Sequence, residues 1–162
     1  AIPIVASAMD AAVNPRVAVE MTRLGGFAVL NGEGLQTRYD DAEGILQEIA
    51  EAGAEGIIER MQKLYTAPVR EDLVARRIQE IKAGGGFAAL ASIPPTAPRL
   101  AAIAVEAGAD LFVVSSQVAT ARHYSTHAET VDLAQFCRDS PVPVMVGNCV
   151  SFQAATELME AG

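Results

Sequence analysis

The residues able to do chemistry in this chain fall at the ends of short apolar runs. They are Ser7, Met9 and Asp10 after the first, Asn31, Gly32 and Glu33 after the second, and Ser92 after the third; Ser115, Ser116 and Gln117 follow the fourth, and Gly147, Asn148 and Cys149 the fifth. The set is rich in hydroxyls and amides and poor in His, Lys and Arg. It suits hydrogen bonding to a polar ligand better than general acid-base or metal chemistry. Each position also has a plainer reading. Ser and Asn at strand ends serve as turn or cap residues, and Asp10 can serve by bonding backbone amides alone. Cys149 follows a strand, but no His is placed by sequence to activate it, so a structural thiol is the favoured reading. His123 and His127 lie in the loop after the fourth run and are read as solvated polar residues. Cys137 and Cys149 show no metal-ligand spacing and read as two reduced thiols. Gly84-Gly85-Gly86 precedes an apolar run instead of following one, which makes it a helix exit and not a phosphate loop.

The apolar runs span residues 2–6, 27–30, 87–91, 111–115 and 142–146. They are near-continuously apolar, the pattern of strands buried on both faces of a parallel sheet. Helical patterns separate them. Asn14-Pro15 supplies an N-cap and a first-turn proline, Val17, Met21 and Leu24 recur at helical spacing, and Gly25-Gly26 ends the element. Leu100, Ile103, Ala104 and Ala107 repeat the pattern before Gly108. Leu133, Phe136 and Cys137 do so after Thr130, and residues 152–161 form a last helix with Ser151 as its cap. More than fifty residues separate Leu30 from Phe87. That is too long for one crossover and carries no strand pattern, so extra helices are expected at about residues 40–83, starting near Asp40-Asp41, as an elaboration of one domain spanning residues 1–162.

Strand-helix alternation gives an α/β fold with right-handed crossovers. Two closures satisfy it: an open doubly wound sheet, or the N-terminal part, about five strands, of a TIM (β/α)8 barrel. The exits Glu51-Ala52-Gly53, Glu106-Ala107-Gly108 and Glu160-Ala161-Gly162 read alike, and the second leads into a strand. By the same grammar a strand is expected after Gly162. At about 27 residues per βα unit, three more would bring the total near the ~250 typical of a barrel, which favours that closure. A chain that opens without Met inside a strand-like run is expected to lack preceding sequence as well.

A net charge of −8 with no Lys/Arg run argues against a nucleic-acid partner. No apolar run approaches bilayer-spanning length and the start lacks a charged n-region, so no membrane partner and a cytoplasmic location are expected.

At the strand ends the sequence resembles a known family. Ile4-Val5-Ala6-Ser7-Ala8-Met9-Asp10, followed by Leu24-Gly25-Gly26-Phe27-Ala28-Val29-Leu30, is similar to the first βαβ unit of IMP dehydrogenase and GMP reductase, with the Ser-x-Met-Asp turn intact through Ser7, Met9 and Asp10. Glu106-Ala107-Gly108-Ala109-Asp110 and Val146-Gly147-Asn148 match as well. Leu30-Asn31-Gly32-Glu33-Gly34-Leu35-Gln36-Thr37-Arg38-Tyr39 and Ala75-Arg76-Arg77-Ile78-Gln79-Glu80-Ile81-Lys82 look like the IMP dehydrogenase-related branch that carries no CBS regulatory pair. The helical elaboration stands where other relatives hold that pair.

The resemblance implies a barrel that binds a purine nucleoside 5′-monophosphate over its carboxyl face beside NAD or NADP. A thiolate adds to C2 of the purine, and hydride moves between C2 and the nicotinamide. The covalent thioimidate is then released by water or, in reductases, formed with loss of ammonia. Mapped by motif, Ser7, Met9 and Asn31 fall on the substrate side and Ser115, Ser116 and Asn148 on the cofactor side. The family's Asp-Ser-Ser at strand four is here Val114-Ser115-Ser116, and Asn31 stands where members usually have His. The family's nucleophilic Cys and its monovalent-cation loop follow strand six, outside these residues, so no catalytic residue is assigned and the 162-residue polypeptide alone is expected to show no turnover. The parent is expected to be IMP dehydrogenase-like, with NADPH-dependent GMP reductase as the alternative, and a homo-oligomer, a tetramer in the family. A reading of another class is a non-catalytic nucleotide-binding or assembly module.

Overall fold

The computed structural model of the protein describes residues 2–52, 56–116, 119 and 131–162; Gln117, His123 and His127 lie outside them. Five parallel strands, β1 (Val5–Ala6), β2 (Phe27–Asn31), β3 (Ala89–Ser92), β4 (Leu111–Ser115) and β5 (Val144–Gly147), form one sheet in chain order. A doubly wound sheet would reverse that order at a switch point. Here every crossover steps the same way, so right-handed connections place the crossover helices on one face and the sheet curls as part of a barrel wall.

The two faces of the sheet differ as a barrel requires. Ala28, Leu30, Leu90, Phe112 and Val114 point outward into the main core, with Val74, Ile78, Ile81, Leu100 and Leu133 from the covering helices. Alternate residues Val29, Ala89, Ala91 and Leu111 form a smaller inner cluster with Phe27, Phe87 and Val113. Register keeps the inner set in line, Val29 opposite Ala89 and Ala91 opposite Val113.

The helices are α1 (Pro15–Arg23), α2 (Ala42–Glu51), α3 (Ile57–Tyr65), α4 (Glu71–Ala83), α5 (Ala97–Glu106), α6 (Leu133–Asp139) and α7 (Phe152–Ala161). Asn14 caps α1 by accepting from Val17 N at 2.9 Å, and Ser151 caps α7 by accepting from Ala154 N at 3.1 Å. Asp132, whose carboxylate accepts from Gln135 N, caps α6. The Gly84-Gly85-Gly86 segment is a helix exit: Gly85 N bonds Lys82 O and Gly86 N bonds Ile81 O, with Gly85 at φ +75°, where a Cβ would be strained. α4 buries Leu73, Val74, Ile78 and Ile81 completely, each contributing roughly 1.5–3 kcal/mol, and packs between α1 and α5 as the crossover helix of β2 to β3. In contrast α2 buries only Ala42 and α3 buries nothing.

Four strands differ from the apolar runs, β2 only by running one residue further, to Asn31. β1 keeps only two residues, because Pro3 offers no N–H and Ile4 N turns back to Ile2 O. β3 starts two residues late, since Phe87 N donates to Thr22 Oγ1 and Ala88 N to Asp110 Oδ2, side chains that take the donors a ladder would use. β5 starts after Pro143 and runs on to Gly147, opposite Ser115. No helix among the described residues is long and apolar enough to cross a membrane.

Candidate functional site

Parallel strands deliver their carboxyl ends to one mouth, and there the inner face opens a cavity of about 450 Å³. Its floor is Val29, Ala91 and Val113, and its rim is Ser7, Ser115, Gly147, Asn148 and Cys149. Larger grooves lie along α1 and along α3, but helix surfaces line them and no strand ends converge there. The mouth has the size of a small-ligand site with an apolar floor and a polar rim.

The structure therefore brings Ser7, Ser115 and Asn148 together. Asn31 shares the inward face with Val29 and pairs with Ala91 of the floor but is not among the lining residues, and its Oδ1 accepts from Glu33 N at 3.0 Å, closing a local turn. Met9 and Ser116 are not among the lining residues. Met9 is 57% exposed on the turn after β1, and Ser116 Oγ is buried with no hydrogen-bond partner among the described residues. Ser92 is buried opposite Val114, on the helix side of the sheet and away from the mouth. β4 and β5 stay zipped beyond their last strand residues, Ser116 N donating to Gly147 O at 2.8 Å and accepting from Asn148 N at 3.0 Å through its carbonyl.

The turns are held by carboxylates. Glu33 accepts from Ile93 N at 3.3 Å and from the Thr96 hydroxyl, tying the end of β2 to the end of β3. Asp10 accepts from Leu35 N at 3.0 Å, the backbone bond expected of it, and also from the Tyr65 hydroxyl, a partner with no motif to announce it. Asp110 bonds Lys82 at 2.8 Å behind the sheet, bracing the start of β3. Of the thiols, Cys149 is exposed on the rim, whereas Cys137 is half-buried on α6 and burial pushes its thiol above the ordinary range. Among the described residues no group of three or more His, Cys, Asp or Glu side chains is placed to hold a metal ion.

Comparison with known proteins places this geometry. The family model for the IMP dehydrogenase / GMP reductase domain matches residues 1–162. Uncharacterised oxidoreductases of Mycobacterium tuberculosis and Mycobacterium bovis are each 34% identical over 166 residues, covering 99% of this chain and 44% of theirs. The crystal structure of an IMP dehydrogenase/GMP reductase-like protein from Corynebacterium glutamicum superimposes with a TM-score of 0.91 at 29% identity, covering 99% of this chain and 43% of that one. The chain spans less than half the length of these relatives. Matched from end to end in sequence and backbone, it belongs to the IMP dehydrogenase / GMP reductase domain family.

Proposed function

We propose that this chain is the N-terminal portion of a purine-nucleotide oxidoreductase that moves hydride between C2 of a purine monophosphate and NAD or NADP. The observation that carries the reading is the convergence of Ser7, Ser115 and Asn148 on one strand-end cavity, in a chain matched by the family over its whole length. Ser7, Met9 and Asn31 are assigned to the nucleotide. Ser115, Ser116 and Asn148 are assigned to the nicotinamide side, with Ser115 and Asn148 on the cavity lining. The cofactor, when bound, supplies the hydride acceptor or donor.

Val114 fills the outward layer where a carboxylate would stand in the family's strand-four motif, so the cofactor ribose must find its partner elsewhere. Burial of the Cys137 thiol outweighs the lowering charge of Arg138, and the C2 nucleophile is assigned to the remainder of the full-length protein. IMP dehydrogenase is the preferred direction, with GMP reduction the alternative. The test is nicotinamide absorbance with the full-length protein, pairing IMP with NAD and GMP with NADPH. Turnover of one pair supports the reading and fixes direction. Saturable binding of IMP or GMP without turnover of either pair leaves a binding module and refutes the oxidoreductase.

A further inference from the structure

We propose that Tyr65 is a positioning residue for the turn after β1, its hydroxyl clamping the helical elaboration onto the turn that carries Met9 and presents Ser7 to the mouth. The role deepens the nucleotide reading above and, in its functional half, rests on it. Tyr65 ends α3, a helix with no buried residue, so core packing does not explain where this side chain sits. Its hydroxyl donates to Asp10 Oδ2, across fifty-five residues of sequence, and the same oxygen accepts from Leu35 N at 3.0 Å. Two more contacts fix the end of α3 to the turn after β2. Tyr39 donates its hydroxyl to Leu64 O at 2.8 Å, and Arg38 donates to Ala67 O with its guanidinium 5.9 Å from the centre of the Tyr65 ring.

The pieces form a closed circuit from Asp10 to Leu35, along the chain to Arg38, across to Tyr65 and back to Asp10. The circuit is shaped to admit the carboxylate: a Cβ on Gly34 would lie 1.7 Å from Asp10 Oδ1. That oxygen is itself buried without a partner among the described residues, so the carboxylate depends on its other oxygen for position. Displacing Asp10 would displace the candidate ligand contacts, because the turn is internally bonded, Met9 N to Ser7 O at 2.8 Å and Val13 N to Met9 O at 2.9 Å. Burial, reinforced by the Asp10 carboxylate, holds the Tyr65 hydroxyl far above its ordinary range, so it stays a donor at any physiological pH.

The test compares Tyr65→Phe with Tyr39→Phe in the full-length protein. The first keeps the ring under Arg38 and removes the donor to Asp10; the second removes a neighbouring α3 contact that does not touch Asp10. Hydrogen exchange of residues 7–13 and of Leu35, calorimetric binding of IMP and GMP, and melting temperature are measured for each. Tyr65→Phe should speed exchange of residues 7–13 and weaken nucleotide binding about 2- to 13-fold, the range of one net hydrogen bond, with a melting change no larger than that of Tyr39→Phe. Wild-type exchange at residues 7–13 in Tyr65→Phe, or an equal rise in Tyr39→Phe, overturns the proposal and makes α3 a structural appendage. Faster exchange with unchanged affinity for a nucleotide that the wild type binds also overturns it. A wild type that binds neither IMP nor GMP sinks the nucleotide reading instead, while the exchange comparison still decides whether Tyr65 positions the turn.

Discussion

Replacing Arg77 by Met should unhook the 3-10 turn Leu35–Thr37 from α4 while leaving the space filled. The Arg77 side chain is only 11% exposed. Its Nε donates to Gln36 O at 3.0 Å and its Nη2 to Asp40 O at 2.8 Å and Tyr39 O at 3.3 Å, while Nη1 meets both Glu80 oxygens at 3.1 Å. Bonds from a charged donor contribute ~1.5–3 kcal/mol each, so the two shortest carbonyl contacts set a ceiling of ~3–6 kcal/mol. Glu80 is 40% exposed, and solvent screening holds its pair below ~1 kcal/mol. Water can reach the part-buried carbonyls of Tyr39 and Asp40, and the Met chain recovers the apolar contact of the Arg stem. The net expectation is a loss of ~2–4 kcal/mol for Arg77→Met. Arg77→Lys should lose about half as much, because one ammonium cannot span three carbonyls. Urea unfolding of the full-length protein reads this as a lowered midpoint with an unchanged slope. A loss under ~0.5 kcal/mol for Arg77→Met, the range of an ordinary surface change, would refute the reasoning by showing that the carbonyls rehydrate freely. Arg77→Lys equal to wild type would show that charge, not the guanidinium fork, holds the turn.

Phe112 is fully buried with its ring 5.9 Å from that of Phe136, so Phe112→Ala should cost ~3–5 kcal/mol and Phe112→Leu under about half of that, measured by the same unfolding assay. Exposed Cys149 should alkylate with iodoacetamide at neutral pH well before Cys137, whose burial disfavours the thiolate; peptide mass spectrometry giving the reverse order would contradict the placement of α6. Asp40 is held below its ordinary 3.8 by hydrogen bonds from Arg76 and Arg70. A carboxylate depressed in the folded state stabilises above its unfolded pKa and loses that contribution as pH falls through the folded value. Asp40→Asn should therefore flatten the fall in stability below about pH 4, and an acid-unfolding curve parallel to wild type would exclude the network.

Much of the fold was legible because its signals are local. β4 occupies residues 111–115 as read, for Gly108 closes the preceding helix and the run is apolar to its last residue but one. β3 was read two residues early because the groups that cap its start, Thr22 and Asp110, lie sixty-five and twenty-two residues away from their partners and leave no mark on the strand itself. The site divides in the same way. Ser7, Ser115 and Asn148 meet because strand ends meet. Ser115 and Ser116 do not both line the cavity, and the two-residue period of a strand already implied as much. Tyr65 carries no sequence signal of its role, because an aromatic at the end of a helix ordinarily reads as core. Only the absence of any buried residue on α3, Tyr65 included, marks it as different.

The inner face shows why the site is assembled from the two sides of the sheet. On the middle strands the inward residues are covered, Val29 at 5% and Ala89 at 0% exposed. On the edge strands they are not: Val5 on β1 is 45% exposed and Met145 on β5 is 44% exposed. Those same edges carry Ser7 at one rim and Asn148 at the other. In an eight-stranded barrel, strands one and five stand on opposite sides of the axis, four steps apart whichever way one counts. The distance from Ser7 to Asn148 is thus set by how the barrel closes, and not only by the ladder between them. On the proposed assignment, the nucleotide residues after β1 and the nicotinamide residues at the ends of β4 and β5 would approach productively when the inner layer is complete. An unpaired edge and an open apolar face would leave both rims free to splay. The proposed nucleotide binding and hydride transfer should therefore depend on closure more steeply than the stability of β2 to β4, where Val29, Ala89, Ala91 and Leu111 are already buried.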